Sequence, residues 1–311
     1  MKCYLCGSSS LVQLTNQLRN GPGVVMFCST CGLGMLEKKL SNTKEYYDKN
    51  YRKTHGPTIN KVSSYKENFE SYVNCQNQRI ELLRPWLTGE SSLLEVGCST
   101  GHFLYNVKNL VGEVVGVDYD SGAADYASEI CDCKTFGCGL DETDLGLESF
   151  DVVCAIQTME HVEDPIGFVN LLGKYLKPNG ILYIEVPNLY DPLLSVFLAP
   201  RYSNFYFHEA HLLYFTTDSL LNVLKCAGFN GSVYFLQDYN FINALHWVLT
   251  GLPQPSCHEG LSSPEITTVS NIPYELHSDL KELLSSFDKN YKQLLAKYKV
   301  TDNIGFVGKR G

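Results

Sequence analysis

Nowhere does this 311-residue chain carry the roughly 20 consecutive apolar residues that a membrane-spanning helix needs. Its first residues, MKCYLC, also lack the apolar core of a secretory signal, so a soluble, cytoplasmic protein is expected. Positive charge is short as well. The chain has 25 Lys and Arg against 34 Asp and Glu, a net charge of −9, which argues against a general phosphate-binding surface and hence against nucleic acid as a partner. The chain is long enough for one large domain or two modest ones, with ample capacity for a buried core.

Cysteine is abundant, but the setting is wrong for a disulfide scaffold. Twelve cysteines in a large chain expected in a reducing compartment point to metal binding or plain burial. Cys75, Cys98, Cys131, Cys133, Cys138, Cys154, Cys226 and Cys257 are scattered, mostly in apolar contexts, and are expected in the core. Cys3, Cys6, Cys28 and Cys31 instead form C-x2-C, 21 residues, then C-x2-C, with Gly7 and Gly32 permitting the turn after each pair. No histidine interrupts the set. Four thiolates make a closed tetrahedral site without an open position, so the pattern predicts a structural Zn2+ in a module over residues 1–36. At that size, metal binding would supply the folding energy that a small core cannot. A redox motif or two unrelated thiol pairs is the bland alternative.

Residues 37–79 read as a polar, tyrosine-rich helical connector or lid, with helical spacing at Tyr65, Phe69, Tyr72, Ile80 and Leu83. After Pro85 the pattern changes. Ser92–Val96 is an apolar strand ending with Glu95 near the turn VGCSTG, and a helix over Phe103–Leu110 follows. EVVGVDYD supplies a second strand with Asp118 at its end, 17 residues beyond Gly101, close to the interval between a glycine turn and a ribose-binding carboxylate. Strand and helix then alternate through SFDVVCAIQ, FVNLLGKYL and GILYIEVPN, which implies a parallel sheet with a ligand across the carboxyl ends of its strands. The turn lacks the G-x-G-x-x-G spacing that seats a pyrophosphate on a helix, so a cofactor with a ribose but no diphosphate fits better than a dinucleotide. The other possibility for Gly97 and Gly101 is close packing of strand against helix.

On these residues the chain resembles the class I S-adenosylmethionine-dependent methyltransferases. LLEVGCSTG resembles their first motif and GVDYD the second; FDVVCAIQTMEHVEDP and LKPNGILYIEVPN are similar to the later part of the domain. Ser99 and Asn179 stand where glycine is usual, and the resemblance runs from about residue 80 to 238. It implies an α/β fold, a Rossmann-like seven-stranded sheet over 80–311, with substrate-side insertions at 189–215 and 240–301 and the last strand at 302–310. It also implies S-adenosylmethionine as cofactor and S-adenosylhomocysteine as product. Glu95, Gly97, Ser99 and Gly101 would surround the methionine part, Asp118 the ribose hydroxyls and Tyr119 the adenine. Leu140 or Asp141 would lie near the adenine amine, and Gln157 would face the sulfonium.

Methyl transfer to a hydroxyl or carbon needs a base. Candidates cluster in FYFHEAHLLYF, at Tyr206, His208, Glu209, His211 and Tyr214, with His161 as a further possibility after the fourth strand. Alternatively, His211 pins this loop. Thr216 or Thr217 is the expected cap of the next helix, and a stripe from Leu276 to Tyr298 predicts a long helix packed on the domain or on a dimer partner. The cysteine module with a His-Glu-Ala-His loop is similar to zinc-containing methyltransferases of deoxysugar and polysaccharide pathways, although the order Phe207-His208-Glu209-Ala210-His211 is offset from their Tyr-His-Glu-His and the seventh strand is expected at 302–310 with no counterpart of their additional C-terminal domain before it. A small-molecule acceptor, a sugar nucleotide or glycan precursor, is therefore expected, with the protein a monomer or homodimer. An RNA methyltransferase and a non-catalytic zinc-dependent interaction protein are the alternatives.

Overall fold

A computed structural model describes residues 1–37, 56–59, 61–265 and 272–311. Much of the 37–79 connector, residues 38–55 and 60, and residues 266–271 of the 240–301 insertion lie outside the described residues.

Eleven strands among the described residues form two sheets. The N-terminal strands are β1 (Leu11–Leu18), β2 (Gly21–Cys28) and β3 (Gly34–Leu36). Two helices follow, α1 (Tyr65–Tyr72), started by a capping box between Ser64 and Glu67, and α2 (Asn77–Leu83). The main sheet then begins with β4 (Ser92–Val96), buried along its whole length, followed by α3 (His102–Val107), β5 (Glu113–Val117), α4 (Ser121–Cys131) and β6 (Lys134–Phe136). β7 (Phe150–Ile156), α5 (Pro165–Tyr175) and β8 (Leu176–Pro187) complete the alternation. The aromatic insertion carries α6 (Pro192–Ser195), α7 (Tyr202–Tyr206) and β9 (Leu213–Tyr214). Next come α8 (Thr217–Cys226) and β10 (Phe229–Leu236), and Thr216 caps α8 by accepting from the Ser219 N–H. α9 (Phe241–Thr250), α10 (Cys257–Leu261), α11 (Tyr274–Lys297) and β11 (Asn303–Arg310) close the chain.

The large sheet has the order β10-β11-β8-β7-β4-β5-β6 and is Rossmann-like, as the sequence predicts. Only β11 runs antiparallel to its neighbours, β10 and β8. β4 lies between β5 and β7, so the chain leaves it in one direction and returns on its other side. That reversal opens a crevice at the carboxyl ends of β4, β5 and β7, where ligands of open α/β sheets bind.

The second sheet, β1-β2-β3-β9, is built from both ends of the fold. β9 belongs to the aromatic insertion and pairs with β3 through Met35 and Leu213. Arg19 adds a backbone bond to the Phe207 carbonyl at 2.8 Å and a guanidinium bond to the Phe205 carbonyl at 2.7 Å. Cys3, Val25, Leu33 and Met35 share one hydrophobic core with Ile184, Val186, Tyr214 and Phe215. The cysteine segment therefore does not depend on its own small core, contrary to the sequence reading, because the insertion lends it a strand and a buried face.

Of the scattered cysteines, Cys98, Cys131 and Cys154 are buried, Cys75, Cys133, Cys138 and Cys257 are half-buried, and Cys226 is exposed. The stripe of α11 packs through Leu295 and in part through Leu280, Leu284 and Tyr291, while Leu276, Leu283, Phe287, Leu294 and Tyr298 face outward. No helix among the described residues is long and apolar enough to cross a membrane.

Candidate active site

The two glycines of the turn after β4 do different work. Gly97 has φ +81°, and a Cβ on it would fall 2.1 Å from Thr158 Oγ1. Gly101, at φ +78°, would instead strike Ala127 Cβ and Cys131 Sγ, both at 2.9 Å, so its role is close packing of the start of α3 on α4. Between them Ser99 takes φ +48°. Asn179, the other departure from glycine, takes φ +66°. Both residues adopt the left-handed conformation that glycine enters freely, at a cost of about 1 kcal/mol for a side-chain-bearing residue. Gly97→Ala is expected to lower stability by about 1–3 kcal/mol, through the strained backbone and the displaced Thr158. A urea midpoint equal to that of the wild type would contradict this.

Asp118, immediately after β5, organises the turn. Its Oδ2 accepts from Ser99 N and its Oδ1 from Asp120 N, each at 2.8 Å. The Asp120 side chain in turn caps α4 at Ala123 N and accepts from the Tyr65 hydroxyl at 3.1 Å. A cavity of about 570 Å³ opens above this turn, within the size range of small-molecule sites. Gly97, Ser99, Asp118 and Tyr119 border it on one side, Leu140 and Asp141 on another, and Gln157 at the end of β7. The structure thus brings together seven of the nine residues expected around a cofactor. Glu95 and Gly101 are not among the residues that line the cavity. Burial, then the neighbouring Asp118, pushes the Glu95 carboxyl well above its ordinary range, and its Oε2 has no hydrogen-bond partner among the described residues.

A second wall comes from residues that sequence reasoning did not assign to a site. Tyr72, Gln76 and Arg79 reach the cavity from α1, α2 and the turn between them, and Asp238, Tyr239 and Asn303 reach it from the last hairpin. The Arg79 guanidinium lies 2.5 Å from Glu185 Oε1 and 2.6 Å from Asp238 Oδ2, with Glu185 0% exposed. Gln157 Nε2 donates to Glu185 Oε1 at 3.1 Å and to Asn303 Oδ1 at 2.9 Å, so the end of β7 is tied to this network. Arg79 was legible only as a polar position on a helix, since its partners lie 106 and 159 residues away.

The six residues expected to supply a base divide by position. His161 borders the cavity; Tyr206, His208, Glu209, His211 and Tyr214 do not. Tyr206 donates to the Asn188 carbonyl at 2.8 Å, and Glu209 accepts from Asn20 at 2.8 Å, facing the cysteine segment. The neighbouring Tyr214 donates its hydroxyl to the His208 carbonyl at 3.0 Å. The His208 and His211 rings lie 3.8 Å apart, and His161 meets His211 edge-on at 4.9 Å. Glu160, beside His161 in the turn Met159–His161, is 1% exposed, and burial pushes its carboxyl up to about 8.

The four N-terminal cysteines converge. Cys3 and Cys31 sulfurs are 3.4 Å apart, Cys6 and Cys28 sulfurs 3.6 Å, and all four lie within 4.8 Å of one another. Those separations are close to the roughly 3.8 Å edge of a tetrahedron with 2.3 Å metal–sulfur bonds. Burial opposes the thiolate of Cys28, yet backbone N–H groups of Cys31 and Thr30 and the Cys6 side chain bring it down to about 6.

Comparison with known proteins places this geometry. Over 140 residues the chain is 30% identical to a probable S-adenosylmethionine-dependent methyltransferase of Mycobacterium tuberculosis, covering 44% of this chain and 48% of that protein. A ubiquinone biosynthesis O-methyltransferase of Histophilus somni is 28% identical over 111 residues, covering 32% of this chain and 46% of that one. The chain thus spans about half the length of the curated relatives it matches. In fold it is similar to the crystal structure of a geranyl diphosphate C-methyltransferase from Streptomyces coelicolor, with a TM-score of 0.51, 12% identity, and coverage of 88% of this chain and 100% of that one. Residues 65–232, more than half of the chain, match the family model described as a methyltransferase domain. The glycine turn, the strand order and that match together assign the chain to the methyltransferase domain family.

Proposed function

We propose that the protein transfers a methyl group from S-adenosylmethionine to a small-molecule acceptor. The observation that carries this reading is the Asp118 carboxylate, held at the end of β5 against the glycine turn and bordering the cavity. Asp118 would accept from the ribose hydroxyls, Tyr119 would flank the adenine and Leu140 and Asp141 its amine edge. Gly97 and Ser99 would face the methionine part, with Gln157 next to the sulfonium. Glu95 is buried and does not border the cavity, so it would act on the cofactor indirectly. S-adenosylmethionine supplies the methyl group; the chain orients the acceptor and excludes water.

The wall of Tyr72, Gln76, Arg79, Asp238 and Asn303 offers hydrogen-bond donors and acceptors opposite the turn, which suits a hydroxylated acceptor such as a sugar nucleotide or glycan precursor. Of the three candidate histidines His161 borders the cavity, which favours it as the one that would help to activate that acceptor. Its Nδ1 is engaged by the Ala210 carbonyl at 2.8 Å and its Nε2 is turned toward Glu160, so activation would run through the groups behind it. Transfer of labelled methyl groups to a panel of sugar nucleotides tests the acceptor; transfer to RNA alone would overturn it.

The cysteine segment, in this reading, holds a structural Zn2+ through Cys3, Cys6, Cys28 and Cys31, with no open position for substrate. Cys28→Ser is expected to lose stoichiometric zinc and to loosen β1–β3, read by elemental analysis and hydrogen exchange. Full zinc retention would contradict the four-cysteine site.

A further inference from the structure

Where the cavity meets the aromatic insertion, Glu160, His161 and His211 bring one carboxylate and two imidazoles together, and we propose that they bind one divalent first-row transition-metal ion, separate from the cysteine site. Their ligand atoms all lie within 4.8 Å of one another. Glu160 Oε1 is 3.7 Å from His161 Nε2 and 3.8 Å from His211 Nε2. These separations are too long for hydrogen bonds. They match two metal–ligand bonds of about 2.1 Å meeting at an open angle.

The hydrogen bonding of His161 sharpens this. Its Nδ1 sits 2.8 Å from the Ala210 carbonyl. A carbonyl only accepts, so Nδ1 carries the hydrogen, and in the neutral ring Nε2 presents its lone pair toward the Glu160 oxygen. An outer-shell carbonyl fixing the tautomer in this way is the usual arrangement behind a metal-bound histidine. Glu160 is independent evidence. Its side chain is 1% exposed, and neither carboxylate oxygen has a hydrogen-bond partner among the described residues. A carboxylate buried in that state costs several kcal/mol unless a cation meets it or it takes up a proton, and a metal ion bound there would displace that proton.

The backbone holds the three ligands without help from the ion. Glu160 and His161 sit on the turn after β7, and Leu212 N donates to the Glu160 carbonyl at 2.9 Å, joining that turn to the segment carrying His211. Two imidazoles with one carboxylate select zinc, iron, cobalt or nickel over magnesium or calcium. Three protein ligands leave coordination positions for other groups, and His161 borders the cavity. An ion there would act as a Lewis acid on an acceptor hydroxyl, lowering its pKa ahead of methyl transfer. That role rests on the methyl-transfer reading; the binding does not.

Titration of Co2+ into the full chain, with the cysteines already loaded with zinc, tests the site by visible absorption. One Co2+ per chain is expected, without a thiolate charge-transfer band. Glu160→Gln and His211→Ala are each expected to weaken uptake by more than about 100-fold, beyond the effect of losing an outer-shell partner. Near-ultraviolet circular dichroism of both variants reports whether the fold is kept, and S-adenosylhomocysteine titration reports the cofactor site separately. No Co2+ uptake by the wild type, uptake only with a thiolate band, or undiminished uptake by a folded Glu160→Gln or His211→Ala chain would overturn the site. Failure to bind S-adenosylhomocysteine with Co2+ uptake intact would overturn the cofactor reading and leave the metal site standing.

Discussion

Asp118→Ala is expected to weaken S-adenosylhomocysteine binding by about 100-fold or more. The carboxylate has two tasks that alanine cannot perform. It accepts from Ser99 N and Asp120 N at 2.8 Å each, and so holds Ser99 in its left-handed conformation. In the proposed complex it also receives the ribose hydroxyls. A hydrogen bond to a charged group contributes about 1.5–3 kcal/mol, and about 1.4 kcal/mol is tenfold in affinity, so losing two such bonds gives the expected factor. Asp118→Asn keeps one acceptor oxygen and should fall between. Calorimetric titration of both variants measures the effect; wild-type affinity in Asp118→Ala would remove this residue from the cofactor site.

Arg79→Leu is expected to cost about 3–5 kcal/mol of stability, because it leaves the buried Glu185 and the half-buried Asp238 carboxylates without their cation. Glu185 and Asp238 share the Arg79 Nη2, while Nη1 donates to the Cys75 carbonyl at 2.9 Å. Tyr183, donating to Glu185 Oε2 at 2.5 Å, is the remaining donor to that second oxygen. The charge effect also has a predicted partial reversal. Arg79→Leu combined with Glu185→Gln should recover part of the loss, since one of the two stranded charges is then gone. Urea denaturation gives both values. An unchanged midpoint in Arg79→Leu would show that the network is not needed for the fold, and its role as an acceptor wall would then rest on activity alone.

The parallel core of the fold was legible because its signals are local. β4 and β5 are short, mostly apolar runs closed by a glycine turn and by Asp118, and each starts at the residue the pattern predicts. The final strand could be placed because a β-rich segment had to complete the hairpin with β10, and β11 does so over Asn303–Arg310. The turn was legible for the same reason, down to Ser99 and Asn179, whose positive φ values explain why glycine is usual at both positions. What could not be read depends on contacts distant in sequence. The pairing of β3 with β9 joins residues about 180 positions apart, and nothing in GML or in LY announces a partner. Arg79 looked like one polar residue on a helix, because its carboxylate partners sit on β8 and after β10. The histidines were found by type, but only folding separates His161 at the cavity from His208 and His211 behind it. The outward face of α11 carries apolar residues that helical spacing assigned to packing, and spacing alone does not say which side of a helix meets a neighbour.

Calorimetric titration of the zinc-loaded wild-type chain with S-adenosylhomocysteine tests the central claim most directly. One site per chain is expected, with a negative heat-capacity change from burial of the adenine against the cavity wall. No binding by folded protein would contradict the assignment of the turn at Gly97 and Asp118 as a methyl-donor site.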